Sequence, residues 1–300
     1  MAERIGIAPP GFELPDGTHV GRVRLQVTNL DRSMDYYEKV LGFKAAKPVD
    51  GVVALNAGTD AAPLLELVEK PGANPVPSRG RLGLYHFALL LPNRAALGRF
   101  LGHLQRMGVR AGMSDHLVSE AIYLTDPDGL GIEVYADKAR STWQLTGKQI
   151  AVASNPLKVD EVLRAGEGIS WDGMPSGTVM GHVHFYVGDV EQASAFYHVA
   201  LGLSKIVWNY PGALFMSAGG YHHHVGVNTW ASGAPVATDD DARLIEWELL
   251  VPDAEAVASV AKGMLNAGFG DGATATDGSL IATDPWGIRL RLRPEESISV

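Results

Sequence analysis

The chain has 300 residues, a formal charge of −9 and no cysteine. Zero cysteines exclude disulfides, thiol nucleophiles, Fe–S clusters and cysteine-held zinc, so any metal must be held by His and carboxylate. The acidic balance, the lack of a long apolar run and an N-terminus unlike a signal peptide predict a cytoplasmic protein with no nucleic-acid or membrane partner.

Taken in chain order, Val23, Leu25 and Val27 alternate with polar residues and predict a strand. Asn29 or Asp31 then caps a helix that Gly42 ends. A second strand–helix unit runs from Tyr85 to Gly108. The turn Asp126-Pro127-Asp128-Gly129 follows, ahead of a short strand carrying Glu133. Residues 137–178 are rich in Ser, Gly, Lys and Trp and read as a connector. It holds one short helix running to Arg164, with Asn155 as N-cap and Pro156 at its first position. A third unit starts at His182, is capped by Asp189 and ends its helix at Gly202. The fourth runs from Ile245 to Gly268, before the turn Asp284-Pro285-Trp286-Gly287.

These units are copies. Arg22–Phe43 superposes on His182–Leu203 without a gap, an offset of 160, and the segment from Tyr85 superposes on that from Ile245 at the same offset. The expected fold is therefore α+β, with four βαβββ modules in two tandem halves forming cupped mixed sheets. Expected domains are 1–140 and 179–300, joined by a connector over 141–178.

At the start of the first strand the modules carry Arg22, His86, His182 and Glu246. Glu133 stands after the turn of module 2, and Arg289 is taken as its counterpart in module 4. A lone strand histidine is most often structural. Two at equivalent positions with a neighbouring carboxylate form a 2-His-1-carboxylate set, which leaves one side of an ion open to substrate and O2. We expect His86, His182 and Glu133 to bind metal between modules 2 and 3, and Arg22, Glu246 and Arg289 to form a dead, ion-paired copy between modules 1 and 4. His116 and Tyr123 precede Glu133, Tyr135 shares its strand face, and His184 shares that of His182. His222, His223 and His224 are expected on a strand, with His222 and His224 on one face; the bland alternative is a solvated polar turn. Trp143, Trp171, Trp208 and Trp230 read as packing anchors, and His19, His103 and His198 as surface residues.

Three stretches carry a resemblance: Tyr85-His86-Phe87-Ala88 leading to Leu91-Pro92, Ser114–Tyr135 (SDHLVSEAIYLTDPDGLGIEVY), and GHVHFYVGDV with GGYHHHVGVNTW. They resemble the vicinal oxygen chelate superfamily of glyoxalases, bleomycin-resistance proteins and extradiol dioxygenases, and most closely its catechol 2,3-dioxygenase branch. The resemblance implies Fe(II) on His86, His182 and Glu133, although the same donors suit Mn(II). It also implies proton transfer by the 222–224 histidines, His116 and Tyr123. Module order differs, since the two-ligand module is last in the better-known ring-cleavage enzymes and second here. The implied reaction is extradiol cleavage of a small aromatic diol by O2 to a muconic semialdehyde, in a chain for which homo-oligomerisation stays open. A glyoxalase-like isomerase or lyase, and a non-catalytic small-aromatic binding protein, are the alternatives on this fold.

Overall fold

A computed structural model describes residues 4–59, 62–270 and 273–295. In chain order, module 1 is β1 (His19–Val27), α1 (Leu30–Lys39), β2 (Lys44–Ala45), β3 (Val52–Asn56) and β4 (Leu65–Glu69). Module 2 is β5 (Gly83–Leu90), α2 (Arg94–Met107), β6 (Gly112–Asp115), β7 (Ser119–Thr125) and β8 (Gly131–Asp137). The connector adds the small hairpin β9 (Leu145–Thr146) and β10 (Gln149–Ile150), then α3 (Val159–Ala165). Module 3 is β11 (Val179–Tyr186), α4 (Val190–Ser194), β12 (Ser204–Val207), β13 (Ala213–Ser217) and β14 (Val225–Asn228). Module 4 is β15 (Arg243–Val251), α5 (Ala254–Asn266), β16 (Leu280–Thr283) and β17 (Arg289–Pro294). Among the described residues this last module has one strand fewer than the others.

Local chemistry explains where the helices begin and end. Asn29, Asn93, Asp189 and Asp253 each accept the backbone N–H three residues on, at 2.7–2.9 Å; such a cap typically contributes about 1 kcal/mol. Gly42, Gly108, Gly202 and Gly268 follow the helices in the left-handed region, at φ +80°, +68°, +95° and +78°. The connector helix begins later than its Asn-Pro signal suggests. Asn155 is held extended by paired backbone bonds with Asp115 (2.9 and 3.0 Å), so helix geometry starts only at Val159. α4 passes into a π-helical turn over Ala195–Ala200. His198 is buried there, contrary to the surface expectation, because its ring folds back so that Nδ1 donates to the Leu203 carbonyl at 2.7 Å.

In each module the first and last strands pair in parallel, and the remaining strands extend antiparallel toward the edge. Two first strands then meet antiparallel to join modules into larger sheets. β5 meets β11, fusing modules 2 and 3 into an eight-stranded sheet; β1 meets β15, fusing modules 1 and 4 into a seven-stranded one. Each sheet therefore takes strands from both halves of the sequence.

Strand alternation divides the chemistry of every central strand between two faces. Val23, Leu25, Val27, Phe87, Leu89, Val183, Phe185, Trp247 and Leu249 lie in one continuous buried core. Each large apolar side chain so buried is worth roughly 1.5–3 kcal/mol. The intervening residues His86, Ala88, His182 and His184 take the other face of one sheet, and Arg22, Arg24, Glu246 and Glu248 that of the other. No helix among the described residues is long and apolar enough to cross a membrane.

Candidate metal centre

Register brings the sequence-separated candidates together. His184 stands opposite His86 and His182 opposite Ala88 across β11 and β5, while Ala88 pairs with Glu133 across β5 and β8. Small residues let the rings sit deep. An added side chain on Gly181 would meet the Tyr135 hydroxyl at 1.9 Å, and one on Gly226 would meet the His184 ring at 2.9 Å. Glu133 is positioned by the preceding turn, where Asp126 Oδ1 accepts the N–H groups of Asp128 and Leu130 at 2.9 and 2.8 Å. Tyr37 donates to the same carboxylate at 3.2 Å, and burial raises the Asp126 pKa to about 7.

His86 Nε2, His182 Nε2 and Glu133 Oε2 converge in a buried triangle. Glu133 Oε2 lies 3.1 Å from His86 and 3.2 Å from His182, and the two nitrogens are 3.3 Å apart. Ligand atoms about 2.1 Å from an octahedral ion, set at right angles, stand about 3 Å apart. The triangle therefore fits three donors on one side of a divalent cation, and the two-imidazole, one-carboxylate chemistry suits iron or manganese. The remaining nitrogens, Nδ1 of His86 and of His182, are buried without a hydrogen-bond partner among the described residues. Ring packing holds these imidazoles instead, His86 against Tyr85 at 4.8 Å and His182 against His223 at 4.0 Å. Protonation states agree with ligation. Burial acts to raise the Glu133 carboxyl, but His182 and His86 outweigh it and hold it well below the usual range. Burial lowers His182 to about 4 despite Glu133, so its ring is neutral at pH 7.

His86 and Glu133 of the triad border a cavity of about 640 Å³, a size suited to a small organic ligand. His116 and Tyr123 line it together. His116 Nδ1 donates to the Ala153 carbonyl at 2.7 Å, which leaves Nε2 to accept from the Tyr123 hydroxyl at 2.6 Å. Burial, with the nearby Glu133 charge, raises the Tyr123 phenol well above its ordinary value. His184 also lines the cavity, 5.0 Å from the His86 ring, and accepts from Asn228 Nδ2 at 3.0 Å.

The three consecutive histidines occupy the loop ahead of β14 rather than a strand, so simple alternation does not govern them. His222 and His223 line the cavity, while His224 lies outside it and accepts the Ala218 N–H at 3.3 Å. The expected shared face of His222 and His224 is thus corrected. The solvated-turn alternative also falls away, since His222 and His224 are buried. His223 is enclosed by His182, His222 and Phe215, and this enclosure holds its pKa well below the ordinary value.

Sequence reasoning misses two contributors. Connector residues Val152–Pro156 form part of the cavity wall, and Trp230, expected as a packing anchor, faces the same space beside Tyr85 at 5.8 Å. The pairing Asn155–Asp115 that delays the connector helix is what holds this wall against module 2.

The opposite sheet shows what the same positions become without chemistry. Arg22 stands where His182 does and Glu246 where His86 does. The counterpart of Glu133 is Arg291 rather than Arg289. Asp284 Oδ1 accepts from Trp286 and Ile288 just as Asp126 does from Asp128 and Leu130, fixing the alignment across both turns. Arg291 and Arg289 both pair with Glu246, at 2.9 and 2.8 Å, while Arg22 pairs with Glu66 and Glu248 at 2.6 and 2.7 Å. Arg291→Ala should cost about 1–2 kcal/mol, a few degrees in Tm, and leave metal per chain unchanged. Thermal melts with metal analysis test this; metal loss would show that the triad depends on the far sheet.

Comparison with known proteins agrees with this architecture. The model of the Glyoxalase/Bleomycin resistance protein/Dioxygenase superfamily matches residues 19–134. A protein of Bacillus subtilis (strain 168) named catechol-2,3-dioxygenase is 40% identical over 274 residues, covering 90% of this chain and 95% of that one. Among solved structures, a Bacillus subtilis subsp. subtilis str. 168 protein superposes with a TM-score of 0.63 at 14% identity, covering 95% of this chain and 87% of that one. Glyoxalase I of Zea mays superposes with a TM-score of 0.53 at 16% identity, covering 92% of both chains. These last two speak for the fold alone. Sequence identity sustained over nine-tenths of the length goes further, and by it this chain belongs to the Glyoxalase/Bleomycin resistance protein/Dioxygenase superfamily.

Proposed function

We propose that this chain is an extradiol dioxygenase that uses Fe(II), held by His86, His182 and Glu133, to open a catechol ring with O2. The observation that carries the reading is the buried triangle of two imidazole nitrogens and one carboxylate oxygen at the wall of an aromatic-lined cavity. The relative named catechol-2,3-dioxygenase supports it. A glyoxalase-like activity is less well supported, because the groups lining the cavity beside Glu133 are imidazoles and phenols rather than a second carboxylate.

Held by His86, His182 and Glu133, the metal would supply a chelation point for the diol and a route for electrons between diol and O2. The chain's own residues handle protons and exclude water. Tyr123 is a phenol before and after the transfer: it passes its hydroxyl proton to His116 Nε2, which it already bonds, as it takes one from the diol. His116 is held in one tautomer by the Ala153 carbonyl, so a proton from the diol has a defined path away from the triad. On the other flank, neutral His223 sits against His182 and is placed to accept a diol proton and return it when the ring opens. Phe215, Trp230 and Val152 give the cavity an apolar wall. The product would be a muconic semialdehyde. Purified protein loaded with Fe(II) should take up O2 with catechol and form a yellow product; uptake absent in the fully loaded chain would refute the reading.

The lining also predicts selectivity. Among the described residues that border the cavity none is Lys or Arg. A carboxylate substituent would be buried without a cation, at a cost of a few kcal/mol. Catechol and its alkyl or phenyl derivatives should therefore exceed 3,4-dihydroxybenzoate in kcat/KM by at least about tenfold. Steady-state O2 uptake on the series measures this, and a preference for the acid would contradict it.

A further inference from the structure

At the cavity wall three side chains form a hydrogen-bonded line, of which the function above uses only the His223 end. Asp137 Oδ1 lies 3.0 Å from His222 Nε2, and His222 Nδ1 lies 2.8 Å from His223 Nδ1. The His222 ring is 1% exposed and packed between Tyr221 at 4.0 Å and Trp143 at 5.5 Å, so it has little freedom to turn. Asp137 ends β8, four residues beyond Glu133, and is thus carried on the strand that bears the triad carboxylate.

Hydrogen-bond logic along this line has one solution for neutral rings. A carboxylate only accepts, so His222 Nε2 must carry the hydrogen given to Asp137. His222 Nδ1 is then a bare lone pair, and the hydrogen between the two rings must belong to His223 Nδ1. His223 Nε2 is left without a hydrogen. We propose that Asp137 is a positioning residue that acts through His222 to set the tautomer of His223, presenting the Nε2 lone pair of His223 to the cavity. The assignment rests on the reading of the cavity as a catechol site only for its effect on rate. It also separates the three consecutive histidines by role, since His223 faces the substrate, His222 relays orientation and His224 takes no part in the line. Neutral histidine outside such a constraint can adopt either tautomer, and the wrong one would offer the substrate a donor where an acceptor is needed.

Two-bond ¹H–¹⁵N correlations of the imidazoles, recorded on the full-length labelled chain with and without zinc as a diamagnetic ion, read the tautomers directly. The wild-type chain should show His222 as Nε2–H and His223 as Nδ1–H. Asp137→Ala should reverse both, and Asp137→Asn, whose carboxamide oxygen still accepts, should restore the wild-type pattern. With Fe(II) and catechol, Asp137→Ala should lower kcat about 10- to 100-fold, with metal per chain unchanged and KM within about twofold. Asp137→Asn should recover most of that loss. A wild-type His223 carrying its hydrogen on Nε2 overturns the assignment even if every variant unfolds. Unchanged tautomers in a folded Asp137→Ala also overturn it. Should no catechol be consumed by any form, the dioxygenase reading falls while the tautomer result still decides this one.

Discussion

Replacing Glu133 by Ala should leave the purified chain without bound metal and reduce O2 uptake with catechol by at least about 10²-fold, more than the loss typical of an outer-shell partner. Glu133 is the only anion of the triangle and is 3% exposed. Two imidazoles would remain, and since an imidazole ligand carries no negative charge, neither offsets the charge of a dication moved out of water. The surrounding cavity offers no second carboxylate to take the place of Glu133 among the described residues. Glu133→Gln keeps the shape and an oxygen donor but loses the charge, so it should retain more metal than Glu133→Ala and less than the unaltered chain. Elemental analysis of each variant, paired with an oxygen electrode, separates loss of metal from loss of chemistry. Full occupancy in Glu133→Ala would remove Glu133 from the ligand set.

The far sheet makes the contrast informative. Identical strand alternation and identical turns deliver Arg22, Glu246 and Arg291 to the positions of His182, His86 and Glu133. There Glu246 takes both Arg289 and Arg291, while Arg22 is neutralised by Glu66 and Glu248. The duplicated frame therefore supplies geometry, and the residue types at a few positions decide whether that geometry holds an ion or an ion-pair network. A relation to the superfamily is carried by the frame, whereas the dioxygenase reading depends on those positions.

Features set by neighbours along the chain are legible from the residues alone. The helix caps at Asn29 and Asp189, the glycine terminators and the strand faces of His86 and His182 all follow from local steric and hydrogen-bond rules. The repeat also sets the two histidines at equivalent positions of their modules, but their meeting in one site depends on the β5–β11 pairing, which the residues alone do not reveal. The features that are not legible depend on distant partners or on register. Arg289 matches Glu133 when the Gly-Ile pair after each turn sets the alignment, but the hydrogen bonds of Asp126 and Asp284 align the turns themselves and shift the match to Arg291. Asn155-Pro156 carries a helix-start signal, yet Asp115 on another module claims its backbone. Consecutive histidines in a loop have no periodicity to read, so only the contacts with Asp137 and His182 separate their roles.

His223→Gln should keep a full complement of metal and lower kcat by about 10²- to 10⁴-fold, the range typical of a lost general acid or base. Glutamine preserves polarity and much of the volume but cannot take and return a proton near neutral pH. The ring it replaces sits 4.0 Å from His182 and 4.9 Å from Phe215, against the triad and facing the cavity. Because enclosure keeps His223 neutral in the resting chain, the group begins the cycle able to accept, and a substrate proton is the one it would carry. The corresponding change at His224 should cost much less, since that ring lies outside the cavity and bonds the Ala218 backbone. Anaerobic titration with catechol adds a second readout. Diol binding should persist in His223→Gln while ring opening slows, placing the loss after association. A larger defect at His224 than at His223, or loss of metal from His223→Gln, would mean that the imidazole against His182 holds structure rather than moving protons.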